Sequence, residues 1–178
     1  MSVANQNKRT GRAFQAKLAE MSGGMNIGTL GGEDVMHEEF SYEAKTYRPN
    51  TKSNKGKPWK GDYILTLYDE GKPTLDVNHF YYYEISTYEN IFIMLRWWYW
   101  DALMKGEIPE NRIKQYFKKV ETRFIGNTYM KQAENNCPDG KVPIVVVHTV
   151  GRRHYSDVVL ILREYWRSLL EKLFDKRF

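Results

Sequence analysis

Asp34, Glu43 and Lys45 are the residues of this chain best suited to chemistry. They lie in the run Glu33-Asp34-Val35-Met36-His37-Glu38-Glu39-Phe40-Ser41-Tyr42-Glu43-Ala44-Lys45. Phe40, Tyr42 and Ala44 alternate with Ser41, Glu43 and Lys45, which is the period of a half-buried strand. Glu43 and Lys45 therefore share a face. The short reversal between Met36 and Phe40 lets a strand carrying Asp34 lie beside Glu43. Two carboxylates and an amine converging on one point make a divalent-metal site with a lysine at its edge. Hard carboxylate oxygens suit magnesium, a bound metal offsets phosphate charge and activates water, and the lysine orients that water or stabilises developing charge. The chemistry such a set serves is phosphodiester hydrolysis. An exposed hairpin can also carry these three common residue types with no function at all. Here Gly31-Gly32 precedes Asp34 and permits a close backbone approach, and a basic, aromatic segment follows Lys45.

The positioning elements read as follows. Residues 1–9 form a polar arm, and Thr10 caps a helix to about Met21 with Phe14, Leu18 and Met21 on one stripe. Met25 to Leu30 is a first strand, and Asp34 to Tyr47 supplies two more around a turn at His37. Residues 48–60, RPNTKSNKGKPWK, are a basic loop in which Trp59 is available to stack on a base. Tyr63 to Tyr68 alternates like a strand. Asn90 to Lys105 reads as a helix apolar nearly all round, and Asn111 to Ile125 as an amphipathic one. Thr128 to Asn136 is a short helix. Ile144 to Thr149 is a continuous apolar run, as in a strand buried on both faces. Val158 to Leu162 is the next strand and Glu164 to Phe174 a closing helix. The whole predicts an α/β sandwich around a central mixed sheet, with a helical, aromatic-rich insert.

At these residues the chain resembles the PD-(D/E)xK nuclease superfamily, and within it small Holliday-junction-resolvase-like endonucleases of phage type. Thr10-Gly11-Arg12-Ala13-Phe14-Gln15 resembles the start of the family's first helix. Gly31 to Asp34 resembles the glycine-acid approach to the second strand, and Tyr42-Glu43-Ala44-Lys45 the catalytic strand. Lys131-Gln132-Ala133 with Val142 to Val147 resembles the later helix and core strand. Two departures stand out. Glu33 occupies the position of the superfamily's proline, and Gln15 that of the usual helix glutamate. The resemblance implies a restriction-endonuclease-like fold and magnesium-dependent cleavage of branched or structured DNA, with manganese as a substitute. It implies Asp34, Glu43, Lys45 and Gln15 as catalytic residues, and Asp34, Glu43 and the Ala44 carbonyl as metal ligands. Glu20 is a reserve for Gln15, but lies roughly 140° further round the helix.

The chain has 178 residues, a net charge of +5 and a pI near 9.1. One domain, residues 1–178, is expected, with the basic loop and insert, about 48–125, between core segments. The charge favours a polyanion partner. Lys52, Lys55, Lys57 and Lys60, with Arg152, Arg153 and Gln132, are the expected DNA contacts. The lone Cys137 excludes an intramolecular disulfide and a cysteine-based zinc cluster. It suits a reducing cytoplasm, and the resemblance implies a place at the nucleoid or in a phage-infected host. No apolar signal core or bilayer-length segment is visible, so no membrane partner is expected. His37 is placed at a turn and His148 in the core, and His79 and His154 lack ligand spacing for zinc. Phe80 to Tyr83 and Ile91 to Trp100 exceed what a chain this short buries easily, so a symmetric homodimer through the insert is expected. The alternative is an insert folded back into a monomeric core. Two other functional readings stand beside the resolvase-like one: a non-catalytic nucleic-acid-binding or assembly module, and a restriction-type nuclease.

Overall fold

Helix α1 spans Val3–Ser22 in the computed structural model, which describes residues 2–28, 33–66, 80–119 and 124–175. Its first cap is Ser2, whose hydroxyl accepts from the Asn5 N–H at 3.3 Å. The expected arm is thus mostly helix. Thr10, read as the cap, sits inside the helix and donates back to the Gln6 carbonyl at 2.9 Å. Gly23 closes α1 at φ 73°, a left-handed position that suits glycine.

A mixed sheet of eight strands forms among the described residues. The strands are β1 (Met25–Asn26), β2 (Val35–Met36), β3 (Phe40–Tyr47), β4 (Tyr81–Ser86), β5 (Ile91–Arg96), β6 (Lys114–Lys119), β7 (Val142–Thr149) and β8 (Val158–Leu162). Their spatial order is β1-β2-β3-β7-β8-β5-β4-β6. β1, β2 and β3 form an antiparallel meander, and β7 then lies parallel to β3 with Glu43 opposite Val145. The crossover between β3 and β7 includes helix α4 (Gly126–Asn135).

Side-chain alternation sorts the core into two layers. Ile144, Val146, Val159, Ile161, Ile93 and Leu95 face one side, under Phe14 and Leu18 of α1, helix α3 (Trp97–Met104) and helix α5 (Arg163–Asp175). Val145, Val147, Val158, Leu160, Phe92 and Met94 face the other, under helix α2 (Lys60–Thr66) and α4. Each fully buried large apolar side chain contributes about 1.5–3 kcal/mol, so a sheet covered on both faces accounts for the unbroken apolar runs of β7 and β8.

The insert differs from expectation. Asn90 to Lys105 divides into strand β5 and helix α3. Asn111 to Ile125 begins inside the turn Glu110–Arg112 and continues as strand β6, while residues 120–123 lie outside the described ones. Tyr63 to Thr66 belongs to helix α2, and residues 67 and 68 are also outside. Pairing decides these segments: β5 is gripped between β4 and β8, and β4 pairs in parallel with β6. The insert's aromatics complete this chain's own core. Phe80, Tyr83, Trp97, Tyr99 and Trp100 are buried. Trp100 meets Phe40 at 5.2 Å between ring centres and donates from Nε1 to the Tyr42 hydroxyl at 3.3 Å. Burial within the chain removes the surplus apolar surface that pointed to an interface through these residues. No helix among the described residues is long and apolar enough to cross a membrane.

Candidate metal and active site

Strand β2 is two residues long and leaves the edge of β3 open at Ala44. Asp34 fills that gap. Its backbone N–H donates to the Tyr42 carbonyl at 3.2 Å, and its Oδ2 accepts from the Ala44 N–H at 2.9 Å. Odd-numbered residues of β3 turn their carbonyls toward β7, as the bonds from Val142 to Glu39 and from Val150 to Tyr47 establish. Even-numbered ones face β2, and a strand residue presents its N–H and C=O to the same side. The Ala44 carbonyl therefore opens on the Asp34 side.

Two layers meet at this gap. From the α1 layer, Gln15 Nε2 donates to Asp34 Oδ1 at 3.1 Å. Gly28 lies directly against the Gln15 carboxamide, and any side chain there would collide with it. From the opposite layer, Glu43 is 3 % exposed and its Oε1 lies 3.2 Å from Lys45 Nζ. Lys45 also donates to Gln132 Oε1 of α4 at 2.6 Å, and its ammonium lies 5.6 Å from the centre of the Tyr129 ring. Desolvation raises the Asp34 carboxyl above the ordinary carboxylate range, against the Ala44 N–H and the Lys45 charge. Desolvation, then repulsion from Asp34, raises Glu43 as well. Glu43 Oε2 is buried and accepts no hydrogen bond. A buried carboxylate oxygen without a donor, beside a second carboxylate raised by burial, fits a hard divalent cation. The residues able to hold it are Asp34, Glu43 and the Ala44 carbonyl.

The other expected residues divide. Glu20 is excluded from the site: its side chain is 74 % exposed and pairs with Lys17 on the solvent face of α1. Gln132, expected on DNA, is exposed on α4 and accepts from Lys45. Lys52, Lys55 and Lys57 are exposed on a loop organised by its own hydrogen bonds, including Lys55 N–H to the Thr51 carbonyl and Gly56 N–H to the Pro49 carbonyl, each at 2.8 Å, and Lys60 is exposed at the first residue of α2. Trp59 does not present a stacking face: it is 2 % exposed and stacks on Phe124 at 5.8 Å. Arg152 and Arg153 are exposed in the turn after β7, with Arg152 Nη1 3.8 Å from Asp62. A groove of about 840 Å³ runs between the first turns of α1 and the basic loop, lined by Gln6, Asn7, Thr46, Tyr47, Arg48 and Lys52 among others. His37 sits at the turn before β3, its Nδ1 accepting from the Glu39 N–H at 3.1 Å.

Two further groups escaped sequence reasoning. Arg96, at the end of the apolar strand β5, is 2 % exposed and paired with buried Asp62 of α2 at 2.5 Å. His148, His154 and Asp157 come together with ligand atoms within 4.8 Å of one another, close enough to hold a metal ion. Comparison of the chain with family models, curated proteins and solved structures finds no match.

Proposed function

We propose that this chain is a metal-dependent endonuclease that hydrolyses phosphodiester bonds in DNA, with branched or otherwise structured DNA as substrate. The observation that carries the reading is the convergence of Asp34, Glu43 and Lys45 at the open edge of β3, with Glu43 Oε2 buried and undonated. The order of helix, antiparallel meander, crossover helix and parallel strand supports a restriction-endonuclease-like core around it. A bound magnesium or manganese ion would supply Lewis acidity and a water of lowered pKa. Asp34 is held for ligation by the Ala44 N–H and Gln15. Glu43 supplies a second oxygen from a desolvated position. Lys45, steadied by Gln132, keeps a cationic N–H donor beside Glu43, where it can orient the attacking water or meet charge developing on the phosphate. The exposed loop lysines and Arg152-Arg153 supply sequence-independent phosphate contacts, consistent with readout of shape.

Gln15 favours a second reading. It contributes an amide where a glutamate would add charge, and its N–H₂ donates to Asp34. A binding or assembly module that ligates no metal would keep this arrangement. Cleavage of a panel of linear, flapped and four-way DNA, with magnesium or with EDTA, separates the two. The nuclease reading expects metal-dependent cuts concentrated on structured DNA. Tight binding with no cut under any metal would select the module, and preferential cutting of a linear sequence would select a restriction-type enzyme.

A further inference from the structure

His148 is the penultimate residue of strand β7, and His154 and Asp157 lie in the turn that leads into β8. The hairpin folds all of them onto one point beneath α1. His148 Nδ1 lies 2.6 Å from Asp157 Oδ1, and His154 Nδ1 lies 3.1 Å from Asp157 Oδ2. The imidazoles stack on each other, 4.1 Å between centres and 24° between planes. Phe14 of α1 stacks on both, at 5.2 and 5.6 Å.

We propose that His148, His154 and Asp157 form a second metal site, selective for a borderline divalent transition cation such as zinc or cobalt(II). Two imidazoles and one carboxylate are the donor set such ions prefer, whereas magnesium takes oxygen. Metal–ligand bonds of about 2.0–2.2 Å in a tetrahedral site leave donor atoms roughly 3.3–3.6 Å apart. The two observed contacts are shorter than that spacing, so holding the ion requires the carboxylate to draw back and the stacked imidazoles to turn apart until both nitrogens face one point. Asp157 is anchored through its backbone, since Trp97 N–H donates to its carbonyl at 2.7 Å. Its side chain is 1 % exposed and that of His148 is 10 % exposed, while that of His154 is 32 % exposed and offers an approach from solvent. Three protein donors leave a position for water. The all-oxygen set at Asp34 and Glu43 has the opposite preference, so the fold carries a hard site and a borderline site on neighbouring strands. An ion at the histidines would close the nine-residue step from His148 to Asp157. It would thereby fix the turn bearing Arg152 and Arg153 and the floor on which Phe14 rests.

The proposal does not depend on nuclease activity, and its test removes the other site. The full-length Asp34→Ala/Glu43→Ala variant, stripped of metal, is titrated with cobalt(II) while visible absorption and heat are recorded. One equivalent with nitrogen-ligand d–d bands is expected, unaffected by millimolar magnesium, together with a rise in melting temperature. His154→Ala in the same background should lose that equivalent while keeping its far-ultraviolet circular dichroism. If the double variant does not fold, the wild-type chain saturated with magnesium serves instead, with His154→Ala as its control. Absence of cobalt and zinc binding, or an equivalent that survives His154→Ala, overturns the proposal.

Discussion

Glu43 meets opposing demands in the metal-free chain. Its carboxyl is buried beside Asp34, and that burial raises both groups above the ordinary carboxylate range. The folded chain thus holds protons that the unfolded chain has released. The resulting stability is present below the ordinary carboxylate pKa and is lost as pH rises through the raised folded-state values. Glu43→Gln removes the charge and keeps the shape. In EDTA it should melt above the wild type at neutral pH, and the difference should vanish below about pH 4. Cleavage by the same variant should fall by roughly a thousandfold, because a metal ligand is gone. Gln15 is the other informative residue. Gln15→Glu adds a third charge to a site that already has the backbone room, so magnesium or manganese should bind about tenfold more tightly by calorimetry. Unchanged affinity would place Gln15 outside the ligand sphere. Gln15→Ala should cost less activity than loss of Asp34, Glu43 or Lys45.

At the scale of elements, the Arg96–Asp62 pair joins β5 to α2 inside the layer that backs Glu43 and Lys45. Arg96 also donates to the Ser156 carbonyl at 2.8 Å, and Thr149 donates to Asp62. Asp62→Ala removes one half of a buried ion pair and should cost about 3–5 kcal/mol in urea unfolding. This pair also marks where sequence reading stopped. β3, β7, β8 and α5 were legible because alternation, a continuous apolar run and a helical stripe each have one reading there. Ile91 to Trp100 was not, because an all-apolar run suits helix and strand equally until partners are known. β4 and β8 settle it. Asn111 to Ile125 carries a helical pattern, yet Lys114–Lys119 pairs in parallel with β4, a long-range contact that no local window contains. The candidate set was visible because Asp34, Glu43 and Lys45 are close in sequence. The histidine group was not: His148, His154 and Asp157 share no motif spacing and become neighbours only through the β7–β8 hairpin.

Across the whole molecule, the basic loop leaves the carboxyl end of β3 and the Arg152-Arg153 turn leaves that of β7. The strands run parallel with Tyr47 beside Thr149, so both basic segments emerge at one end of the sheet. Replacing Lys52, Lys55, Lys57 and Lys60 by alanine should weaken DNA binding across sequences and flatten its salt dependence, by up to roughly 3.6 in log–log slope if all four contact phosphate. An unchanged slope would make the segment an ordinary surface loop. If the chain makes paired cuts across a junction, two sites at a fixed separation are needed, which a symmetric homodimer would supply. Light scattering with and without four-way DNA tests it, and a strict monomer in both would leave a nicking or flap nuclease. The central claim is tested most directly by single-turnover cleavage of a labelled four-way junction with magnesium, comparing the wild-type chain with Glu43→Ala. The account expects metal-dependent cutting by the wild type, and junction binding by Glu43→Ala with its cleavage reduced by roughly a thousandfold or more. Undiminished cleavage by Glu43→Ala, or wild-type cleavage that persists in EDTA, would contradict it.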